Sequence, residues 1–423
     1  MADSLVITRK KLQPTSPTRQ RVMGVLFIII GAALWFFFAR IAPADQNATF
    51  GLVPGGSSVE LPPWTVPVAS TLNVLAVVCV GIGAFQVARG FKRATNIILG
   101  IVVGLFIFGF LVSAAAGKTL NLGGLISTTL VKSVPLTLGA LAGILCERAG
   151  VTNIAIEGMM LSSALTSCLI ASLTQSLWVG VLAGIITGAL LALLHGVLSI
   201  KYKTNQIISA TVINILATGL TSYISQKFMQ PIPALNNSGI FQTWAIPVLS
   251  DIPLIGPIFF NNTLYVYAMY VFLVVIHIAL FKTRWGLRMR AVGEHPKAAD
   301  TLGIDVFKTR YMAVTLSGMM AGFAGSYFTL GSVGRFDEVM TAGRGFIALA
   351  AMIFGNWTPF GSFGAGLLFG FADSLASRLT ILRINIPSEF MLMAPYIATM
   401  IVLAGVVGRS IPPAADGVPY EKE

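Results

Sequence analysis

Glu157 is the residue whose chemistry most needs an explanation. It stands in the apolar run Ile154-Ala155-Ile156-Glu157-Gly158-Met159-Met160, four positions after Asn153. Lipid cannot hydrate a carboxylate, so Glu157 must face a protein interior, a watery path or a helix end. Residues four apart share a helix face, so Asn153 and Glu157 could together line a solute path. The competing reading is a membrane-boundary carboxylate paired with Arg148 or Lys132. Lys132, Asn214, Asn356 and Asp373 are further polar groups inside apolar runs. Asn214 has Ser209, Thr211, Thr218, Thr221 and Ser222 near it, which suits either a polar wall along a path or hydrogen bonding between helices. Asp373 reads as a local ion pair with Arg378.

None of these groups is arranged for catalysis. The chain has no HExxH, no G-x-S-x-G and no CxxC, and no metal-ligand pair at useful spacing. Its three cysteines, Cys79, Cys146 and Cys168, lie in or beside apolar runs and suggest neither a disulfide framework nor a metal site. His195, His277 and His295 read as structural. The phosphate-cradling pattern G-x-x-x-x-G-K-[ST] is missing, so any ATP that drives this chain must bind elsewhere. No cofactor is expected on it.

The elements that must position these residues are transmembrane helices. The chain is 55% hydrophobic and only 10% charged, against about 25% charged in a soluble domain. Its 43 glycines suit close helix packing in lipid. Twelve apolar runs are candidate spans: Val22–Ala39, then 66–88, 96–116, 122–145, 151–171, 177–200, 205–226, 264–281, 310–331, 343–357, 360–377 and 389–408. The first is read as a retained helix rather than a signal peptide. Runs 343–357 and 360–377 are short and parted only by Thr358-Pro359, which suggests half-helices. The fold class is therefore an all-α polytopic membrane protein of about 10–12 helices, some broken.

Placing the N-terminus inside and alternating puts twenty Lys and Arg on the inner side and seven on the outer. By the positive-inside rule both termini are cytoplasmic. So is the polar island 282–310, which holds seven basic residues and three acids. The segment 40–65 and the proline-rich segment 227–263 fall outside. Within the island, Pro296 suits a first helical turn and Gly303 a C′ position. The helix they bracket has about two turns and needs a packing partner to persist. The basic charge follows the loops rather than a folded patch, so no nucleic acid is implied; membrane lipid is the expected surroundings.

Three blocks carry a family resemblance. SVPLTLGALAGILCERAGVTNIAIEGMML, GLRMRAVGEHPKAADTLGIDVFKTRYMAVTLSGMMAGFAGSYF and GRGFIALAAMIFGNWTPFGSFGAGLLFGFADSL occur in that order. They resemble the permeases of ATP-binding-cassette importers in the branched-chain amino acid and simple-sugar group, above all the nucleoside and simple-sugar subgroup. Cys146 stands where that subgroup usually has Ser.

The resemblance implies a bacterial plasma-membrane permease. Its partners would be a cytoplasmic ATPase that binds ATP and Mg, a second related permease and an extracytoplasmic solute-binding lipoprotein. It assigns ATPase coupling to Arg288, Arg290, Gly293, Glu294, Pro296, Ala298, Ala299 and Gly303, and a place near the solute path to the Asn153–Glu157 region, with Asn214 and Asn356 as further path candidates. The domain reading is a basic tail at 1–21, an extension with about three spans at 22–120, the permease core at 121–408 and a cytoplasmic tail at 409–423. Nucleosides are the first choice of solute, simple sugars the second and branched-chain amino acids the third. An ion-coupled secondary transporter and a non-transporting membrane scaffold are the rival classes.

Overall fold

The computed structural model describes residues 17–57, 60–381, 393 and 411–422. The apolar run expected at 389–408 lies outside these residues but for Met393. The described chain divides into two compact units, with the boundary at Gly123–Gly124.

In the first unit α1 (Pro17–Leu34) continues through a π turn to Ala39. Pro17 opens the helix, where its missing N–H costs nothing, so α1 takes in residues 17–21 of the expected tail. Strands β1 (Asn47–Gly51) and β2 (Trp64–Pro67) follow, then α2 (Val68–Ala88), α3 (Thr95–Ala114) and β3 (Thr119–Asn121). β1 pairs antiparallel with β2 and parallel with β3. Segment 40–65 thus contributes strands where a plain loop was expected. Gly24 and Gly31 of α1 let α2 approach closely: a Cβ at Gly31 would lie 2.8 Å from a Val80 methyl.

The second unit starts with α4 (Leu122–Glu147), then α5 (Ile156–Thr174), α6 (Leu177–Gly196) and α7 (Gln206–Ile224). A short β4 (Trp244–Ala245), the one-turn α8 (Ile255–Phe259) and β5 (Asn261–Asn262) follow, and β4 pairs with β5. Next come α9 (Leu264–Lys282), α10 (Arg284–Glu294), α11 (Pro296–Thr301), α12 (Val306–Phe328), α13 (Arg344–Phe354) and α14 (Pro359–Ile381). Burial ranks these helices. The apolar windows of α4 and α5 are 89% and 72% buried, whereas those of α6, α7 and α9 reach only 28–33%. Helices α4 and α5, with α12, of whose 23 residues 15 are buried, therefore form the core, and α6, α7 and α9 present apolar faces outward, as lipid requires.

Eight helices of the described residues are long and apolar enough to cross a membrane. Helices α12 and α14 also have the length, at 23 residues each. Helix α13 has 11 residues and is a half-helix as expected. Its neighbour α14 is not: the run 360–377 extends to a full-length helix. Thr358-Pro359 marks a helix start, with Pro at the tolerated first turn.

Candidate functional site

The chain leaves helical geometry between α4 and α5, and the polar residues singled out above gather there. Gly150 has φ +82°, a conformation glycine adopts without Cβ strain. The Asn153 side chain then accepts the Ala155 N–H at 3.1 Å and donates to Ser317 Oγ at 3.1 Å. This local bond competes with helix formation. Helix α5 accordingly begins only at Ile156, with Ala155 as its cap. Asn153 and Glu157 therefore do not share a helix face; Asn153 belongs to the turn and Glu157 to the first turn of α5.

Glu157 is buried and joins two helices. Its Oε1 accepts from Thr341 Oγ1 at 2.6 Å and from Gly343 N–H at 2.9 Å, while Oε2 accepts from Gly345 N–H at 2.6 Å. Gly343 is the N-cap of α13. The carboxylate thus lies at the positive ends of both α5 and α13, where unpaired N–H groups and helix dipoles stabilise an anion. Its partners are these backbone groups and Thr341, in place of Arg148 or Lys132.

Asn214 of α7 closes the same break from the other side. Its Oδ1 accepts Gly158 N–H at 2.8 Å and its Nδ2 donates to Ile154 O at 3.0 Å. Both groups are freed by the helix break, and buried backbone groups need partners. Asn153, Glu157 and Asn214 are therefore brought together. Asn356 is not among them: it lies exposed in the α13–α14 turn, with φ +52°. Asp373 pairs with Lys132 at 3.1 Å and with Arg344 at 3.8 Å, where sequence proximity had suggested Arg378.

A second junction forms at the island end, where the three sequence blocks meet. Trp357 Nε1 donates to Glu147 Oε2 at 2.6 Å. The Arg148 guanidinium donates to the carbonyls of Trp357 and Asn356. Gly293 of α10 packs on the backbone of Arg148 and Gly150, and a Cβ there would collide with the Arg148 carbonyl.

The island residues take distinct places around this seat. Arg288 is exposed, and Arg290 lies 5.1 Å over the Phe281 ring. Glu294 accepts Ala414 N–H at 3.2 Å. Pro296 opens α11, which is capped by His295 Nδ1 accepting from Ala298 N–H at 3.2 Å. Ala298 faces solvent, Ala299 is buried and Gly303 has φ +79°. Helix α10, parted from α11 by His295 alone, was not anticipated. Neither were Leu287 and Leu302, which are 61% and 81% exposed beside these helices. Leucine inside a charged island is the sequence signal that could have marked them. His195 binds Thr152 O at 3.0 Å and Ser209 Oγ at 3.2 Å, a structural role.

Residues 125–408 match the family model described as branched-chain amino acid transport system / permease component. The chain belongs to this family. The permease is 42% identical over 307 residues to the guanosine ABC transporter permease protein NupQ of Bacillus subtilis, covering 70% of this chain and 96% of that one. It is 40% identical over 308 residues to the nucleoside ABC transporter permease protein NupC of Lactococcus lactis, with 70% and 96% covered. The putative glucose permease TsgC13 of Haloferax volcanii is 34% identical over 309 residues, with 68% and 92% covered. No solved structure matches the permease significantly. It is a multi-pass protein of the bacterial plasma membrane and a transport subunit, not an enzyme. Its first unit precedes the family match.

Proposed function

We propose that the permease forms the membrane path of an ATP-driven importer for purine or pyrimidine nucleosides. The observation that carries this reading is the identity of 42% and 40% to a guanosine and a nucleoside permease, each over 96% of that protein. In this reading the island end faces the cytoplasm. Helices α10 and α11 dock on a partner ATPase that binds ATP and Mg. A second related permease completes the path, and a solute-binding lipoprotein delivers solute from outside. Exposed Leu302 and Leu287 supply apolar contact for the ATPase, and Arg288, next to Leu287, adds charge. The buried junction of Asn153, Glu157 and Asn214 holds the broken helices α5 and α13 beside the path.

The test is uptake by the reconstituted four-part complex. Labelled guanosine should enter proteoliposomes only with ATP, and unlabelled nucleosides should compete where glucose does not. Leu302→Glu and Arg288→Ala should reduce the ATPase recovered with the permease. Guanosine uptake by the chain alone under an ion gradient would overturn the proposal in favour of a secondary transporter.

A further inference from the structure

Residues 411–422 lie across the island end of the second unit and touch nearly every element there. Ala415 N–H donates to Gly293 O at 2.9 Å, and Ile411 N–H to Asn356 Oδ1 at 3.0 Å. Arg310 Nη1 donates to Val418 O at 2.9 Å, and the Tyr420 hydroxyl to Asp300 Oδ2 at 2.9 Å. The Tyr420 ring is buried in a cluster with Val292, Ala299 and Val306. Lys203 pairs with Glu421 at 2.7 Å. Asp416 Oδ1 accepts from Thr152 Oγ1 at 3.1 Å. Thr152 is in the α4–α5 break, where its N–H also donates to Gln206 Oε1 at 2.7 Å.

A six-residue helix does not persist in water by its own hydrogen bonds. Much of what holds α11 comes from this segment: Ala299 packs in the Tyr420 cluster, and Asp300 accepts the Tyr420 hydroxyl. Helix α10 is held at its end by Ala414 and Ala415. A groove of about 440 Å³ runs between the two, lined by Pro296 and Lys297 on one side and Val418 and Pro419 on the other. The strap and the two helices therefore present one composite face. The same strap reaches the helix break through the Asp416 side chain, and its backbone packs there too, the Ala415 carbonyl against Gly150 and Gly417 against Thr152.

We propose that residues 411–422 set the position of α10 and α11 in the face offered to the ATPase, and that Asp416 transmits displacement of that face to Thr152 and the α4–α5 break. Asp416 and Tyr420 are positioning residues. They touch no solute, and they act through the docking helices and the break. The inference rests on the proposed function and names how its coupling face is held.

The experiment uses the complete transporter in proteoliposomes with two disruptive variants, Asp416→Leu and Tyr420→Ala, and two conservative ones, Asp416→Asn and Tyr420→Phe. Amide exchange over 284–301 reports helix position without reference to transport. The disruptive variants should exchange there about ten-fold faster than wild type. Uptake per ATPase-bound complex should fall about ten-fold at an unchanged solute KM. Asp416→Asn keeps the hydrogen-bond acceptor and should stay close to wild type in both, whereas Tyr420→Phe keeps the ring but loses the bond to Asp300 and should fall between wild type and Tyr420→Ala. Unchanged exchange in the disruptive variants, or equal losses in the conservative ones, would overturn the positioning role. Faster exchange with unimpaired uptake would overturn the transmission to Thr152. A wild-type complex that fails to import nucleoside with ATP refutes the proposed function instead, and the exchange result still decides whether the strap positions the helices.

Discussion

Glu157 on α5 accepts the Gly345 N–H of α13 at 2.6 Å, so one carboxylate ties the starts of two broken helices. The approach depends on glycine, because a Cβ at position 345 would lie 2.6 Å from the Glu157 Cα. An anion between two helix N-termini is compensated by backbone dipoles without a cationic side chain.

Glu157→Gln should therefore destabilise the permease even though its size is kept. The amide replaces one acceptor oxygen with a donor that must face Gly343 or Gly345 N–H. Hydrogen bonds to a charged group contribute roughly 1.5–3 kcal/mol, so a loss of about 2 kcal/mol is expected. Thermal unfolding in detergent measures it; a melting temperature equal to wild type would show that the bridge does not hold the two helices.

Asn214→Leu tests the opposite side of the same break. Leucine fills the space but leaves Gly158 N–H and Ile154 C=O without their partner. An unpaired buried backbone group costs about 1–3 kcal/mol. Asn214→Asp keeps the acceptor for Gly158 but, ionised, sets a buried oxygen anion against the Ile154 carbonyl, so its melting temperature should lie no higher than that of Asn214→Leu. Equal stability of all three proteins would place Asn214 outside the support of the break.

The sequence made these residues visible but not their arrangement. A carboxylate and an amide inside apolar runs stand out because lipid penalises them, and that drew attention to Glu157, Asn153 and Asn214. Their partners are backbone groups such as Gly345 N–H and Ile154 C=O, which carry no residue signature. Local spacing also misled where tertiary contacts decide: Asp373 is five positions from Arg378, yet it pairs with Lys132 of α4. In the island, Pro296 and Gly303 bracketed α11 correctly because each encodes a backbone angle. Helix α10 escaped because its charges hid the buried face of Gly286, Met289, Val292 and Gly293. The strap escaped because its contacts at Ala414, Ala415 and Val418 run through backbone atoms.

Helices α6 and α12 should tolerate no added carbon at their crossing. A Cβ on Gly188 would collide with the Gly318 carbonyl and lie 2.7 Å from the Gly322 Cα. Overpacking of this kind costs about 1–3 kcal/mol, so Gly188→Ala should lower the melting temperature. Gly219 on α7 is the control, since a Cβ there meets nothing within 4 Å. Gly219→Ala in the isolated permease should be neutral or gain up to roughly 1 kcal/mol from helix propensity. Equal effects at both positions would refute the close crossing.

The strap should hold more firmly in mild acid. Burial is the main cause that lifts the Asp416 carboxyl from 3.8 to about 6; bonds from Thr152 and Gly417 and the charge of Arg310 act in the other direction. Glu147 is a further carboxyl near enough to interact with it. A carboxyl whose folded pKa is raised binds its proton more tightly when the strap is seated than when it is free. The stabilisation from protonation is complete below the unfolded value of 3.8 and is lost as pH rises through about 6. Amide exchange over 411–422, corrected for intrinsic chemical rates, should therefore show greater protection near pH 5 than near pH 7.5. Asp416→Asn cannot titrate there, so its protection should lose most of that pH dependence. A wild-type profile flat over this range, or one that Asp416→Asn reproduces in full, would show that the strap is not held through this carboxyl.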